Sequence, residues 1–347
     1  MYIKKILLIV AVIGLILCGF FAYYVYDAIF SPNTNFEEKS KTVYIPSDAT
    51  FTEVQKLIHP LLENSGNFDR LASKKGYRSN IKPGKYKIKK GLNTNEIIDV
   101  LRSQNLPVRV RFNNQERLEN LAGRIAGQIE ADSISLLQAF KETEFLEKHK
   151  FTLNTALAMY IPNQYEFFWN TSATQFRERM LREYNRFWNE ERNAKAEKIG
   201  LTPNQVNTIA SIVQKETAKV DERPRVAGVY VNRFLNGWKL DADPTIIYAL
   251  KMKENKWDTI IKRVLYKDLT IDNPYNTYKY KELPPGPITM PDITAIDAVL
   301  DYEKHDYYYF VADTQNFGYH KFAKTLAQHN RNKNQYIQWI NQKGIRR

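Results

Sequence analysis

TPNQVNTIASIVQKETAK, residues 202–219, reads as a helix whose beginning is written into the sequence. Thr202 has the side chain of a good N-cap, Pro203 suits the first helical position, and Gln205 completes a capping box. Val206, Ile209, Ala210 and Val213 then recur at i, i+3, i+4 and i+7, the spacing of one apolar face turned toward a core. Glu216 falls three residues after Val213 and so continues that stripe. A carboxyl held against apolar neighbours is hard to ionise, and its pKa rises toward neutrality, as a general acid requires. The same spacing also allows Glu216 to turn outward and pair with Lys219 at i, i+3, an interaction of a few tenths of a kcal/mol at most. Periodicity alone leaves both open.

Outward from this helix, the pattern predicts an α+β protein. Downstream, Tyr307-Tyr308-Tyr309-Phe310-Val311 has the composition of a buried strand. Upstream, Pro107-Val108-Arg109-Val110-Arg111-Phe112 alternates as a strand and leads into a helix carrying Leu118, Leu121, Ile125 and Ile129. Before that lies a small β-α-α-β-α unit. Its elements are a strand at Thr42–Ile45, a helix over residues 51–62 capped by Thr50, and a second helix over residues 67–75. A turn at Pro83-Gly84 follows, then a strand ending at Ile88 and a helix over residues 96–102 capped by Thr94.

The amino terminus has a different composition. Residues 6–25, ILLIVAVIGLILCGFFAYYV, contain no charge, and a helix of that length spans roughly 30 Å, a bilayer's hydrocarbon thickness. The run closes on Tyr23, Tyr24 and Tyr26, an interfacial aromatic belt rather than the small-residue end of a cleaved leader. Lys4 and Lys5 precede it, which puts the short tail in the cytoplasm and the rest of the chain outside. The lone cysteine, Cys18, lies inside this run behind the bulky Leu17, so the part that folds outside has neither disulfides nor thiol chemistry. Lys and Arg number 51 against 38 Asp and Glu, a formal +13. For a chain facing away from the cytoplasm, that field favours lipid headgroups and wall polymers over nucleic acid. The expected division is a tail at 1–5, an anchor at 6–26, a linker at 27–41, a small module at 42–106 and a main domain at 107–347.

The run IASIVQKET, followed by Glu222-Arg223-Pro224-Arg225-Val226-Ala227-Gly228-Val229-Tyr230-Val231-Asn232-Arg233, resembles the signature of the endolytic murein transglycosylase (YceG-like) family. The likeness continues through Leu240-Asp241-Ala242-Asp243-Pro244-Thr245-Ile246-Ile247-Tyr248-Ala249, Asn273-Pro274-Tyr275-Asn276-Thr277-Tyr278 and Leu283-Pro284-Pro285-Gly286-Pro287-Ile288. It ends with His320-Lys321-Phe322-Ala323-Lys324-Thr325 and His329-Asn330, so the blocks run in order along nearly the whole chain. The 42–106 unit, with Pro83-Gly84-Lys85-Tyr86, resembles the family's LysM-like module. Residues 161–171 depart from the family's usual LEGYLFPDTY-like segment; Glu282 replaces a common glycine, and Met290-Pro291-Asp292 stands where Asn-Pro-Gly is frequent.

The resemblance implies a lytic transglycosylase, a carbon–oxygen lyase acting on a polysaccharide. It would cleave N-acetylmuramic acid–N-acetylglucosamine bonds in nascent strands, leave 1,6-anhydro ends and terminate strand elongation beside membrane-bound peptidoglycan synthases. Glu216 is then the catalytic acid. Tyr275, Asn276, Thr277 and Tyr278 offer aromatic faces and amide and hydroxyl groups for N-acetyl sugars, or else form a packed turn after Pro274. Asn232 and Arg233 face the cleft in this reading, with Arg233 able to meet a carboxylate. Asp243, in a turn with Pro244 and Thr245, shapes the site. His320 and His329 have no metal-ligand spacing and read as structural; no metal or cofactor is expected. A non-catalytic wall-binding scaffold and a water-using muramidase remain as alternatives, the latter needing a second carboxylate such as Asp241 or Asp243.

Overall fold

A computed structural model describes residues 2–343. The chain divides into two compact units. One takes the chain as far as Val110 and adds Ala126–Ala131 and Tyr165–Ser172; the other comprises Arg111–Ile125, Asp132–Gln164 and everything from Ala173 onward. The architecture is mixed, mostly helical, with three two-stranded sheets among the described residues.

The first unit begins with α1, Tyr2–Phe30. Among the described residues it is the one helix long and apolar enough to cross a membrane, and none of its side chains is buried by protein. Next come β1 (Ser40–Ile45), α2 (Phe51–Ile58), α3 (Ser65–Lys74), β2 (Gly84–Lys89), α4 (Thr94–Ser103) and β3 (Pro107–Phe112). β1 and β2 pair antiparallel, Ser40 opposite Lys89 and Ile45 opposite Gly84. Val43, Ile45, Tyr86 and Ile88 alternate onto one face of this ribbon and close over Val54, Ile58, Phe68, Ile97, Ile98 and Leu101 from the helices. Each such large apolar side chain contributes about 1.5–3 kcal/mol on leaving water, which is how a unit without disulfides holds together.

Local sequence explains the boundaries. Thr50 and Glu53 form a complete capping box, and α2 gives way at Ile58 to a 3₁₀ turn, His59–Leu61, because Pro60 removes a donor and disfavours helical geometry before it. The last helix starts one residue earlier than the Thr94 cap implies. Asn93 is the N-cap, boxed with Glu96, while Thr94 is fully buried and accepts from the Asn33 side chain at 3.0 Å. Gly84 has φ +145°, and a β-carbon there would lie 2.3 Å from the Asn105 side chain, whose Oδ1 accepts from Lys85 N–H. The polar stretch between α1 and β1 is docked rather than free. Asn33 bonds Asn64 and Thr94, Thr34 accepts from Gly91 N–H, and Phe36 enters the core.

β3 pairs with β4 (Asn163–Phe168). The second unit contains α5 (Leu118–Ala126), α6 (Ser133–Lys141), α7 (Thr143–Lys148), α8 (Ala173–Phe187), α9 (Glu190–Ile199) and α10 (Pro203–Glu216). It continues with α11 (Arg223–Leu235), α12 (Asp243–Glu254), α13 (Ile293–Leu300), the hairpin of β5 (Tyr309–Ala312) and β6 (His320–Ala323), and α14 (Leu326–Gln342). α10 is its central helix, packed by α9, α11, α12 and α13. The strand expected at Tyr307 starts at Tyr309 and is half-buried, because one side of the hairpin faces a cavity.

Candidate active site

α10 folds as its sequence dictates. Thr202 accepts from Gln205 N–H, Gln205 returns a bond to the cap, and Pro203 opens the first turn. Val206, Ile209, Ala210 and Val213 are fully buried. Burial extends to every residue from Val206 to Val213, since helices surround α10 on several sides. Its polar members are satisfied internally: Asn207 donates to Pro203 O, Thr208 to Asn204 O and Ser211 to Thr208 O. Glu216 is the last helical residue, because Thr217 turns extended.

At that helix end Glu216 is half-buried and lines a cavity of about 430 Å³. Tyr230, buried on α11, donates its hydroxyl to Glu216 Oε1 at 2.6 Å. Lys219 does not pair with it; the ammonium lies 4.9 Å from the Tyr319 ring. Burial pushes the Glu216 pKa up to about 7, and the Asp243 charge adds to the rise. The Tyr230 hydrogen bond and the charges of His320 and Arg233 pull it back only in part. Facing the C-terminal end of its own helix, an anion gains nothing from the backbone dipoles. A carboxyl with these surroundings holds its proton near neutrality and can still release it.

Two ordered pairs flank Glu216 around the cavity. Tyr278 donates to Asp243 Oδ1 at 2.6 Å, with Asp243 the first residue of α12. Arg233 donates to Asp241 Oδ2 at 3.1 Å, and also to the carbonyls of Leu240 and Tyr308, both at 2.7 Å. Asp241 has φ +49°, in the left-handed region that aspartate tolerates better than most residues. Burial raises its pKa against the pull of Arg233. The opposite wall is aromatic and basic: Tyr309 and Phe310 from β5, with His329, Asn330 and Lys333 from α14. Phe310 meets the Tyr230 ring edge-on at 6.0 Å, and Tyr309 stacks with His329 at 5.2 Å. Aromatic faces, carboxylates, an amide and an exposed lysine suit a polar, ring-shaped ligand such as a sugar.

Of the residues singled out in the sequence, Glu216, Arg233, Asp243 and Tyr278 come together here. The others do not reach the cavity. Tyr275 is buried against Tyr248 at 4.6 Å and borders a different hollow. Asn276 is fully buried and staples its loop, donating to Leu269 O and Ile271 O and accepting from the backbone of Tyr278 and Lys279. Thr277 is buried too, accepting from Ala242 N–H and bonding Thr245, so it fixes the start of α12. Asn232 clasps the carbonyls of His305 and Tyr307 behind α11. Asn276 and Thr277 thus position Tyr278 and the start of α12 rather than line the space. His320 is structural, held on Glu222 through Nδ1 at 2.9 Å, whereas His329 belongs to the cavity. Tyr230, Tyr309, Asn330 and Lys333 carry no local pattern that marks them as cavity residues. Among the described residues there is no cluster that would hold a metal ion.

A sequence profile of the YceG-like family matches residues 43–335. The chain is 28% identical over 329 residues to a protein named endolytic murein transglycosylase from Bacillus subtilis (strain 168), covering 88% of each. Proteins of the same name from Streptococcus pneumoniae, serotype 2 (strain D39 / NCTC 7466) and strain ATCC BAA-255 / R6, are each 27% identical over 352 residues. Those matches span 92% of this chain and 62% of the longer streptococcal ones. A crystal structure of a yceG-like protein from Listeria monocytogenes superposes with a TM-score of 0.54 at 26% identity, covering 85% of this chain and 99% of that one.

Proposed function

The chain belongs to the YceG-like family, and on that premise we propose that it is an endolytic murein transglycosylase whose general acid is Glu216. The observation that carries the reading is a half-buried carboxyl with a pKa of about 7, hydrogen-bonded by Tyr230 on the floor of a polar cavity. In the protonated form, Glu216 donates to the glycosidic oxygen as the muramoyl C1–O bond breaks. The resulting carboxylate takes the proton of the same sugar's C6 hydroxyl, whose oxygen bonds C1 and closes a 1,6-anhydro ring. The nucleophile is intramolecular, so its effective concentration is high and no second carboxylate is needed to activate water. The nearest other acids support this division of labour. Asp243 is engaged by Tyr278 and Asp241 by Arg233, as groups that shape and charge the site.

Residues 107–347 form the catalytic part in this reading, and the 42–106 unit is a LysM-like module that holds glycan. α1 is a single-pass anchor with Lys4 and Lys5 on the cytoplasmic side, which keeps the enzyme near the membrane where synthases extrude new strands. Termination of those strands is the expected outcome. The test is product analysis by mass spectrometry on purified peptidoglycan digested by the full chain in detergent. Anhydro-ended fragments that vanish in Glu216→Gln support the proposal. Reducing ends heavier by one water would establish hydrolysis, and binding without new chain ends would make the protein a scaffold.

A further inference from the structure

A second hollow lies in the first unit, where the last turns of α1 pass α3. It measures about 220 Å³. Its α1 side is apolar, formed by Phe21, Val25, Ala28 and Ile29, and Leu71 closes it from α3. Its rim is cationic: Arg70 and Lys74, one turn apart on α3, are both exposed and border it. Arg70 donates to Asn67 Oδ1 at 2.6 Å and reaches the Tyr24 hydroxyl at 3.5 Å. Neither cation has a carboxylate partner among the described residues. The acids on the same two helices are otherwise engaged, Asp27 accepting from Ser31 and Asp69 bonding His59. Tyr24 lies near the end of the charge-free run that begins at Ile6, so in a chain anchored by α1 the hollow opens at the bilayer's interface.

We propose that this groove between α1 and α3 binds one anionic phospholipid, with the phosphate on Arg70 and Lys74 beside Tyr24 and an acyl chain leaving past Phe21 into the bilayer. The argument joins three observations: an apolar groove continuous with the span itself, two unpaired cations at its mouth, and a position where lipid is the most abundant amphiphile. A zwitterionic lipid fills the groove equally well but brings its own cation to the rim. The preference therefore follows the headgroup charge, at a few-fold per basic residue. The docked stretch behind α1, with Asn33 bonded to Asn64 and Thr94, holds the two helices in register and so preserves the groove. A bound lipid would set the first unit's height and tilt on the membrane.

The proposal rests on α1 spanning the membrane, and the test separates the two. The full chain is reconstituted into dioleoylphosphatidylcholine vesicles and floated, then transferred to detergent with equimolar dioleoylphosphatidylglycerol and dioleoylphosphatidylcholine for native mass spectrometry. The expected results are flotation, one retained phosphatidylglycerol per chain, and a preference on the order of tenfold over phosphatidylcholine. Arg70→Gln/Lys74→Gln should abolish the preference, and Ala28→Phe, which fills the groove, should abolish retention of either lipid. A chain that fails to float removes the anchor and the site together. A chain that floats but shows equal retention of both lipids, or an unchanged preference in the double variant, overturns the site alone.

Discussion

Replacing Tyr230 with phenylalanine should move the alkaline limit of the reaction upward. The hydroxyl donates to Glu216 Oε1 at 2.6 Å, a bond that favours the ionised carboxylate and so holds its pKa down. A hydrogen bond to a charged group is worth about 1.5–3 kcal/mol, and one pKa unit corresponds to about 1.4 kcal/mol. Tyr230→Phe therefore raises the Glu216 pKa from about 7 by about one to two units. The phenyl ring keeps its edge-on contact with Phe310, so the packing that desolvates the carboxyl survives. Because a general acid must be protonated in the free enzyme, the alkaline limb of kcat/KM reports this pKa and should shift to higher pH. Asp243→Asn is the complementary probe. It deletes a like charge that raises the Glu216 pKa, and the limb should move down. The assay is initial-rate release of anhydro-ended fragments between pH 5 and 10, with the full chain in detergent. A limb that stays in place in both variants, or that falls in Tyr230→Phe, refutes the assignment of Glu216 as the acid whose proton these neighbours control.

Glu216→Gln should also stabilise the fold at alkaline pH while removing activity. The folded pKa lies above the ordinary 4.5, so the unfolded chain loses this proton first. Stability consequently falls as pH rises from about 4.5 to about 7 and stays reduced above that. The gain in Glu216→Gln is thus absent below pH 4.5 and reaches at most about 3 kcal/mol at pH 8, measurable by urea unfolding at the two pH values. Gly286→Ala should be damaging for a steric reason. A β-carbon would lie 2.0 Å from the backbone oxygen of Asn154, so a loss on the order of 1–3 kcal/mol and a clear drop in Tm are expected. An unchanged melting curve would mean the loop re-routes freely. Asn276→Ala strips four hydrogen bonds from the loop that carries Tyr278, and should lower both stability and turnover by loosening the Tyr278–Asp243 pair. Loss of stability with wild-type kcat would place that pair outside the reaction.

The parts of this protein that one helix or one strand decides for itself were legible in its sequence. Thr202, Pro203 and Gln205 announce the start of α10, and the period of Val206, Ile209 and Val213 carries Glu216 to the core side. The β-α-α-β-α order before residue 104 follows from caps and alternation, with the start of α4 off by a residue because Asn93 outcompetes Thr94 as its cap. What was not legible depends on wiring between distant segments. Tyr275, Asn276 and Thr277 have the chemistry of a sugar site, but their amide and hydroxyl are consumed by their own loop and by α12, which composition cannot disclose. Tyr230 had no signal beyond its helix, and His329 and Lys333 reach the cavity only because α14 packs on β5. The same division runs through the Glu216 carboxyl itself. Its burial is a property of α10 and its packing, and that much follows from an apolar stripe. Its usefulness depends on where the pKa settles: burial raises it most, a hydroxyl on α11 draws it back, and a carboxylate at the start of α12 adds to the rise. Were Tyr230 and Asp243 both absent, burial would still raise the proton affinity of this acid, but the opposed pulls of a hydrogen bond and a like charge that tune it would be gone.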